Sequence, residues 1–309
     1  MAADAPRIRK GEKVALALGA GGARGLAQVG VIEALCARGM EIVAISGSSS
    51  GALVGGIHAA GKLGEFREHV ERLGRGDFLR LLDPVVGEGG LMRGDALVEA
   101  MHEVVGNPLI EDLAIDFTAV AVDLERQREV WLRSGPLWEA LRASFAIPGL
   151  FTPAMVHGRA LVDGGLLAPL PIAATRLSDA HRLIAVDMHD WPRRPPGSPA
   201  STGPDPHASP GQADSAQDGE RSLADRLGGW FERLGGPDEQ DELGLSEIMA
   251  RSLDTMQAQI SRMHLALDPP ELVIRIPRDA CLFYEFWRAK ELIQIGRVEA
   301  DKALDAAGY

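Results

Sequence analysis

The stretch AISGSSSGALVGG, residues 44–56, places Ser49 midway between Gly47 and Gly51. A serine in a G-x-S-x-G spacing, after a strand and before a helix, sits at the tip of a sharp turn that presents its hydroxyl for nucleophilic attack. Glycines two places away let neighbouring backbones pass closely. The helix that follows points its N-terminus at developing negative charge, and the N–H after the serine can donate to an oxyanion. Ser48 and Ser50 are neighbours that fit the tight turn. The chemistry such a serine supports is acyl transfer through a serine ester. The same spacing also occurs in ordinary turns, so Ser49 needs partners from elsewhere in the chain.

Two other stretches offer them. GAGGARG, residues 19–25, is a glycine-rich turn whose backbone N–H groups suit an anion, either a nucleotide phosphate or the oxyanion of an acyl-transfer intermediate. Gly19, Gly21 and Gly25 are spaced as in some dinucleotide-binding loops. That use needs a ribose-reading residue at the end of the second strand, where Ser46 and Gly47 lead straight into the serine turn instead. For the base there are two routes. The order Ser49, then Asp163 or Asp187, then His181 or His189 suits a histidine triad. Alternatively Asp163 acts directly, in LVDGG, where Gly164 and Gly165 allow a tight turn and close approach; Asp-Gly is equally a common turn signal.

These residues require a frame that holds them at one edge. KVALALG (13–19) reads as a strand buried on both faces. Leu26, Val29, Val31, Ile32 and Leu35 recur at helical spacing over 25–38, with Gly39 as the stop. EIVAIS (41–46) is a second strand and ALVGGIHAAG (52–61) a second helix. This alternation implies a parallel sheet covered by helices, with chemistry at the carboxyl ends of the strands. Further strands are expected at 117–124, 128–135, 159–165, 181–188 and 271–277. Residues 191–220, dense in Pro, Ser, Gly and Asp, read as a flexible insertion. Beyond it LADRLGGWFERL (223–234) and SEIMARSLDTMQAQISRMHLAL (246–267) have helical periodicity. Ile248, Leu253, Met256, Ile260 and Met263 fall on one side and are expected to pack in the core, with a lid or membrane contact as the alternative. A last helix covers 284–304. The expected organisation is a catalytic core over 13–190, the insertion over 191–220, and a helical part over 221–309 that completes the same domain.

The formal charge of −12 works against nonspecific binding to nucleic acid or an anionic membrane, so no nucleic-acid partner is expected. Cys36 and Cys281 are the two cysteines, which gives no disulfide framework and suits a reducing compartment. RIRKGEK before VALALGAGGA has the look of a secretory signal, but its apolar part is short, glycine-rich and runs into Arg24. A cytoplasmic location is the expectation.

Taken together, LALGAGGARGLAQVGVIEAL, ISGSSSGALVGG and LVDGGLLAPLPI resemble the oxyanion-hole, nucleophile and aspartate blocks of the patatin-like phospholipase family. GLMRGDALVEAM, IEDLAIDFTAVAVDLERQREVWLRSG and RASFAIPGLFTPAMVHGR are similar to family segments in order and spacing, so the resemblance spans roughly 13–190. It implies a three-layer α/β/α fold with a central, mostly parallel sheet. It implies a Ser–Asp dyad of Ser49 as nucleophile and Asp163 as general base, without a catalytic histidine. The oxyanion hole would be the N–H groups of Gly21, Gly22 and Ala23. Ala20, Arg24, Gly25, Gly47, Gly51, Gly164 and Gly165 occupy supporting motif positions, with Arg24 holding the loop or meeting an anionic head group. Ala20 departs from the family glycine, a difference that matters only if the position needs positive φ. The implied activity is hydrolysis of a lipid or phospholipid carboxylic ester through an acyl-enzyme, with no metal or organic cofactor and with transient membrane contact. The same dyad would serve a thioesterase or acyltransferase, and a regulatory protein could retain the fold with little turnover.

Overall fold

Strand β1, Lys13–Leu18, is buried along its length after the first residue, so it needs a neighbour on each edge and cover on each face. A computed structural model, which describes residues 11–81, 92, 94–191 and 245–309, provides both. β2, Glu41–Ser48, runs parallel along one edge of β1 and β7, Arg182–Asp190, along the other. β8, Leu272–Pro277, extends the sheet beside β7, and β3, Asp116–Asp123, extends it beside β2, again in parallel. β4 (Arg128–Leu132) and β6 (Arg159–Asp163) run antiparallel to β3, and β5 (Ala154–Val156) pairs antiparallel with β6. The order is β5-β6-β3-β2-β1-β7-β8, with β4 beside β3. The expected insertion beyond Trp191 and the expected helix at 223–234 lie outside the described residues.

One detail of the pairing positions the site. β3 residues 119–123 pair with β4 along one edge, so both β2 and β6 must use the other. They share it end to end: Ser48 of β2 is opposite Val120, and Asp163 of β6 is opposite the next residue, Ala121. The two strands arrive from opposite directions and stop at the same place.

The faces of the sheet are unequal. Val14, Leu16 and Leu18 of β1, with Ile45, Phe117, Ile184 and Ile274, form one side of the main aliphatic core. α1 (Ala27–Ala37) and α8 (Ala289–Ala306) pack together over it. α2 (Ser50–Ala59) and α6 (Leu137–Ser144) complete the cover over β2 and β3. α3 (Leu63–Arg72), α4 (Arg75–Leu81) and α5 (Asp95–Val105) contribute Phe66, Val70, Phe78 and Met101 to the same core. The opposite face carries small residues, Ala15, Ala17, Ala44 and Ala185, under Leu170 and Ile172. α7, Leu245–Leu267, lies there against β7.

Two expectations change. The helix read from Gly25 opens as a 3-10 turn over Gly22–Leu26, and α1 begins at Ala27. The stripe on α7 assigned to the core is only partly covered: Leu253 and Ile260 are half-buried, while Ile248, Met256 and Met263 are 44%, 55% and 60% exposed. α7 instead buries Ala258 and Ser261, because a sheet face of alanines admits small side chains at close range and leaves no depth for methionines. Periodicity identified a helix and an apolar side, but the other side meets the protein. Among the described residues, no helix is long and apolar enough to cross a membrane.

Leu16, fully buried at the centre of β1, is a test of this frame. Leu16→Ala should cost about 2–5 kcal/mol, whereas Val298→Ala on the open side of α8 should stay within about 0.5 kcal/mol; denaturant unfolding of the two variants measures the difference.

Candidate active site

Ser49 sits at the junction where β2 ends and α2 begins, with φ 56° and ψ −124°. A side-chain-bearing residue at such angles costs on the order of 1–3 kcal/mol and persists only when its surroundings enforce it. The enforcement is visible on both sides of the peptide. The Ser49 carbonyl accepts the Leu53 N–H at 3.1 Å, closing the first turn of α2, and the Ser49 N–H donates to Ser144 Oγ at 3.0 Å. Gly47 lies against Ala52, Gly51 against the Leu18 carbonyl, and Gly25 against Ser50, so the serine turn is wedged beside the glycine-rich loop. Ser48 and Ser50 are buried, with no hydrogen-bond partner for either hydroxyl among the described residues.

Asp163 ends β6 and is 3% exposed. Its N–H donates to the Ala146 carbonyl at 3.0 Å, and its Oδ1 accepts the Gly165 N–H at 2.6 Å. Oδ2 is buried with no hydrogen-bond partner among the described residues. Burial pushes the carboxyl up from the ordinary carboxylate range to about 7, against the opposing influence of the Ser49 hydroxyl and the Gly165 N–H, which favour the charged form. The Ser49 hydroxyl is thus among the groups that favour the charged carboxylate. Gly164 lies against the Val120 carbonyl. At Gly165 a side chain would meet Asp163 Oδ1 at 2.8 Å and Ala20 Cβ at 2.9 Å, so only glycine lets the aspartate turn and the glycine-rich loop meet here.

The loop after β1 is hung from its neighbours by three of its amides. Gly19 N–H donates to Val186 and Ala20 N–H to Pro169; Ala23 N–H donates to the Phe283 carbonyl at 2.8 Å. Ala23 is therefore committed to Phe283 and is not a free oxyanion donor as expected from sequence. The N–H groups of Gly21 and Gly22 make no hydrogen bond among the described residues. Gly22 has φ +55°, and a side chain there would run into the Phe283 ring. Ala20 is not among the positive-φ residues, which is why alanine is accommodated at that position.

Arg24 points away from the solvent. It is 5% exposed, its Nη1 donates to the Arg278 carbonyl at 2.7 Å, and its Nη2 pairs with Asp254 of α7 at 2.5 Å. These contacts tie the glycine-rich loop to α7 and to the Arg278 backbone. Burial raises the Asp254 carboxyl, but the Arg24 charge and hydrogen bond outweigh this and hold it below the usual range, with His189 and Arg278 adding to the effect. His189 belongs to the same cluster: its Nδ1 lies 3.7 Å from Asp187 and its Nε2 3.8 Å from Asp254. The groups that shift Asp163 include no histidine. His181 precedes β7 and so lies at the amino end of that strand, across the sheet from Ser49. Among the described residues, neither histidine makes a hydrogen bond to Ser49 or an ion pair with Asp163; His189 lies beside Asp187 and Asp254 instead.

The structure thus brings Ser49, Asp163 and the loop bearing Gly21 and Gly22 to one place. It adds residues that sequence reading did not single out: Ser144 and Ala146 behind the two acidic and hydroxyl groups, Asp254 on Arg24, and Phe283 on Ala23. RASFAIPG was noted as a segment, but nothing in its composition marks Ser144 as the partner of a residue 95 positions earlier.

A family model described as patatin-like phospholipase matches residues 16–176. An uncharacterized NTE family protein of Mycobacterium tuberculosis is 40% identical over an alignment that covers 95% of this chain and 92% of that one. Lysophospholipase NTE1 of Cryptococcus neoformans is 30% identical over 78% of this chain, which corresponds to 14% of that much longer protein. With the match spanning the serine turn, the glycine-rich loop and the aspartate turn alike, the chain belongs to the patatin-like phospholipase family.

Proposed function

We propose that the protein is a serine lipid acyl hydrolase acting through Ser49 and Asp163. The observation that carries this reading is the buried Asp163 carboxyl, its Oδ2 unpartnered among the described residues, facing the Ser49 hydroxyl. Asp163 takes the Ser49 proton as Oγ bonds to the ester carbonyl carbon. The resulting oxyanion lies against the N–H groups of Gly21 and Gly22, and the α2 N-terminus favours the same charge. The C–O bond to the alcohol then breaks and Asp163 returns the proton to the leaving oxygen. A water molecule reverses the sequence: it loses a proton to Asp163, attacks the acyl-enzyme, and releases the fatty acid as Ser49 recovers its proton. A base poised near neutral pH suits both halves. Names of relatives such as the Cryptococcus lysophospholipase support a single-chain phospholipid as the substrate class.

In a lipid-panel assay with products identified by mass spectrometry, monoacyl phospholipids should release fatty acid fastest. Ser49→Ala should abolish release and Asp163→Asn should reduce it by on the order of 10²–10⁴-fold, whereas His189→Ala should be mild; a His189 effect larger than that of Asp163 would sink the dyad.

The base must be ionised to accept a proton. Hence kcat/KM should climb as pH rises through about 7 and level off above it. A profile flat from pH 5 to 8 would contradict this assignment.

The same burial has a stability consequence of opposite sign. The folded protein holds the Asp163 proton more tightly than the unfolded chain does, so the contribution is complete below the ordinary carboxylate pKa and is lost as pH rises through about 7. Asp163→Asn removes that loss. It should stabilise the fold at pH 8 by on the order of a few kcal/mol at most, seen as a raised Tm, with the gain shrinking toward pH 5 in parallel thermal melts.

A further inference from the structure

The N–H groups of the two proposed reacting residues, 114 positions apart in sequence, are bound by residues only two apart. Ser49 donates to Ser144 Oγ at 3.0 Å, and Asp163 donates to the Ala146 carbonyl at 3.0 Å. We infer that the turn closing α6, Ser144 to Ala146, fixes the spacing of Ser49 and Asp163, and that Ser144 is a positioning residue for the reaction. This rests on the reading of Ser49 as nucleophile given above.

The direction of the Ser144 hydroxyl is determined. It is fully buried, and its proton is donated to the Val120 carbonyl at 2.6 Å. With the donor spent, the remaining valence at Oγ is an acceptor, and that acceptor receives the Ser49 amide. Val120 is also the register partner of Ser48, and its carbonyl is the atom against which Gly164, next to Asp163, is packed. One hydroxyl therefore ties the serine turn to the strand and to the carbonyl that backs the aspartate turn.

The α6 end is itself braced. Arg142 Nη2 donates to the Thr152 carbonyl at 2.9 Å and to its hydroxyl at 3.1 Å, and the guanidinium stacks over Phe145 and Phe151 at 5.8 and 5.6 Å. A rigid brace is what a positioning group requires, since a displacement of about 1 Å at a reacting atom can cost on the order of a hundredfold in rate. Ser49 is especially dependent on it. Its positive φ is maintained by contacts, and the Ser144 bond is the one that holds its own N–H.

The test compares Ser144→Ala and the near-isosteric Ser144→Cys with wild type and with Leu16→Ala, a core variant remote from the reacting groups. Active sites are titrated with a fluorophosphonate, and kcat per titrated site, KM, the pH profile and Tm are measured on the full chain. Ser144→Ala should lower kcat per site by about tenfold to a hundredfold with KM within about twofold. The acid limb of its pH profile should move upward as the Ser49 hydroxyl drifts from the carboxylate, and Ser144→Cys should fall between Ala and wild type. Leu16→Ala should lower Tm with kcat per site unchanged. If Ser144→Ala behaves like Leu16→Ala, the positioning role is overturned while the nucleophile assignment stands. If Ser144→Ala does not fold, Ser144→Cys with wild-type kcat and pH profile overturns it equally. A wild-type protein that neither labels at Ser49 nor hydrolyses lipid esters overturns the functional reading itself, and this inference with it.

Discussion

The shared edge of β3 is the constraint from which the site follows. A strand edge offers one row of hydrogen-bonding groups, and here two strands of opposite direction divide it, β2 up to Val120 and β6 from Ala121. Neither can extend without displacing the other. Each chain must therefore leave the sheet at the same point, β2 into the Ser49 turn and β6 into the Asp163 turn. Backbone ladder bonds set this meeting, and they are far less adjustable than surface side-chain contacts. The side-chain interactions then refine a proximity that the sheet has already imposed, with the Val120 carbonyl at its centre.

Electrostatics converts that proximity into chemistry. A carboxylate away from water is costly, and only part of the cost at Asp163 is offset by the Gly165 amide and the Ser49 hydroxyl. The uncompensated remainder is what raises its proton affinity into a useful range. Arg24 and Asp254 show the opposite solution a short distance away: there a second charge compensates the first, and the carboxyl stays strongly acidic. The two aspartates thus differ because the half-buried Asp254 was given a cation and the buried Asp163 a hydroxyl.

The central strands and the serine turn were legible because their signals are local. KVALAL and EIVAIS are apolar without alternation, as strands buried on both faces must be, and glycines around Ser49 mark the turn. Asp163 is ambiguous by itself and becomes a candidate through the resemblance of the three blocks taken together. What was not legible depends on partners distant in sequence. Nothing in GAGGARG states that Ala23 will give its amide to Phe283, and nothing near Ser144 states that its hydroxyl will meet Ser49. The α7 stripe failed for a related reason: a pattern shows which side of a helix is apolar, but the alanine face it meets was set by β1, β2 and β7.

The inequality of the two sheet faces explains how the loops can be held from both sides with so little material. On the thick side, large aliphatic side chains fix α2 and α6, and through them the turn at Ser49 and the residues that bind its amide. On the thin side the packing is shallow, and directed polar contacts replace it: Arg24 to Asp254 of α7, and Ser46 Oγ to the Pro171 carbonyl at 2.8 Å. Directed bonds specify position where apolar contact specifies only proximity. The glycine-rich loop is therefore placed by hydrogen bonds to its own carbonyls and amides, which leaves the Gly21 and Gly22 N–H groups unpaired among the described residues.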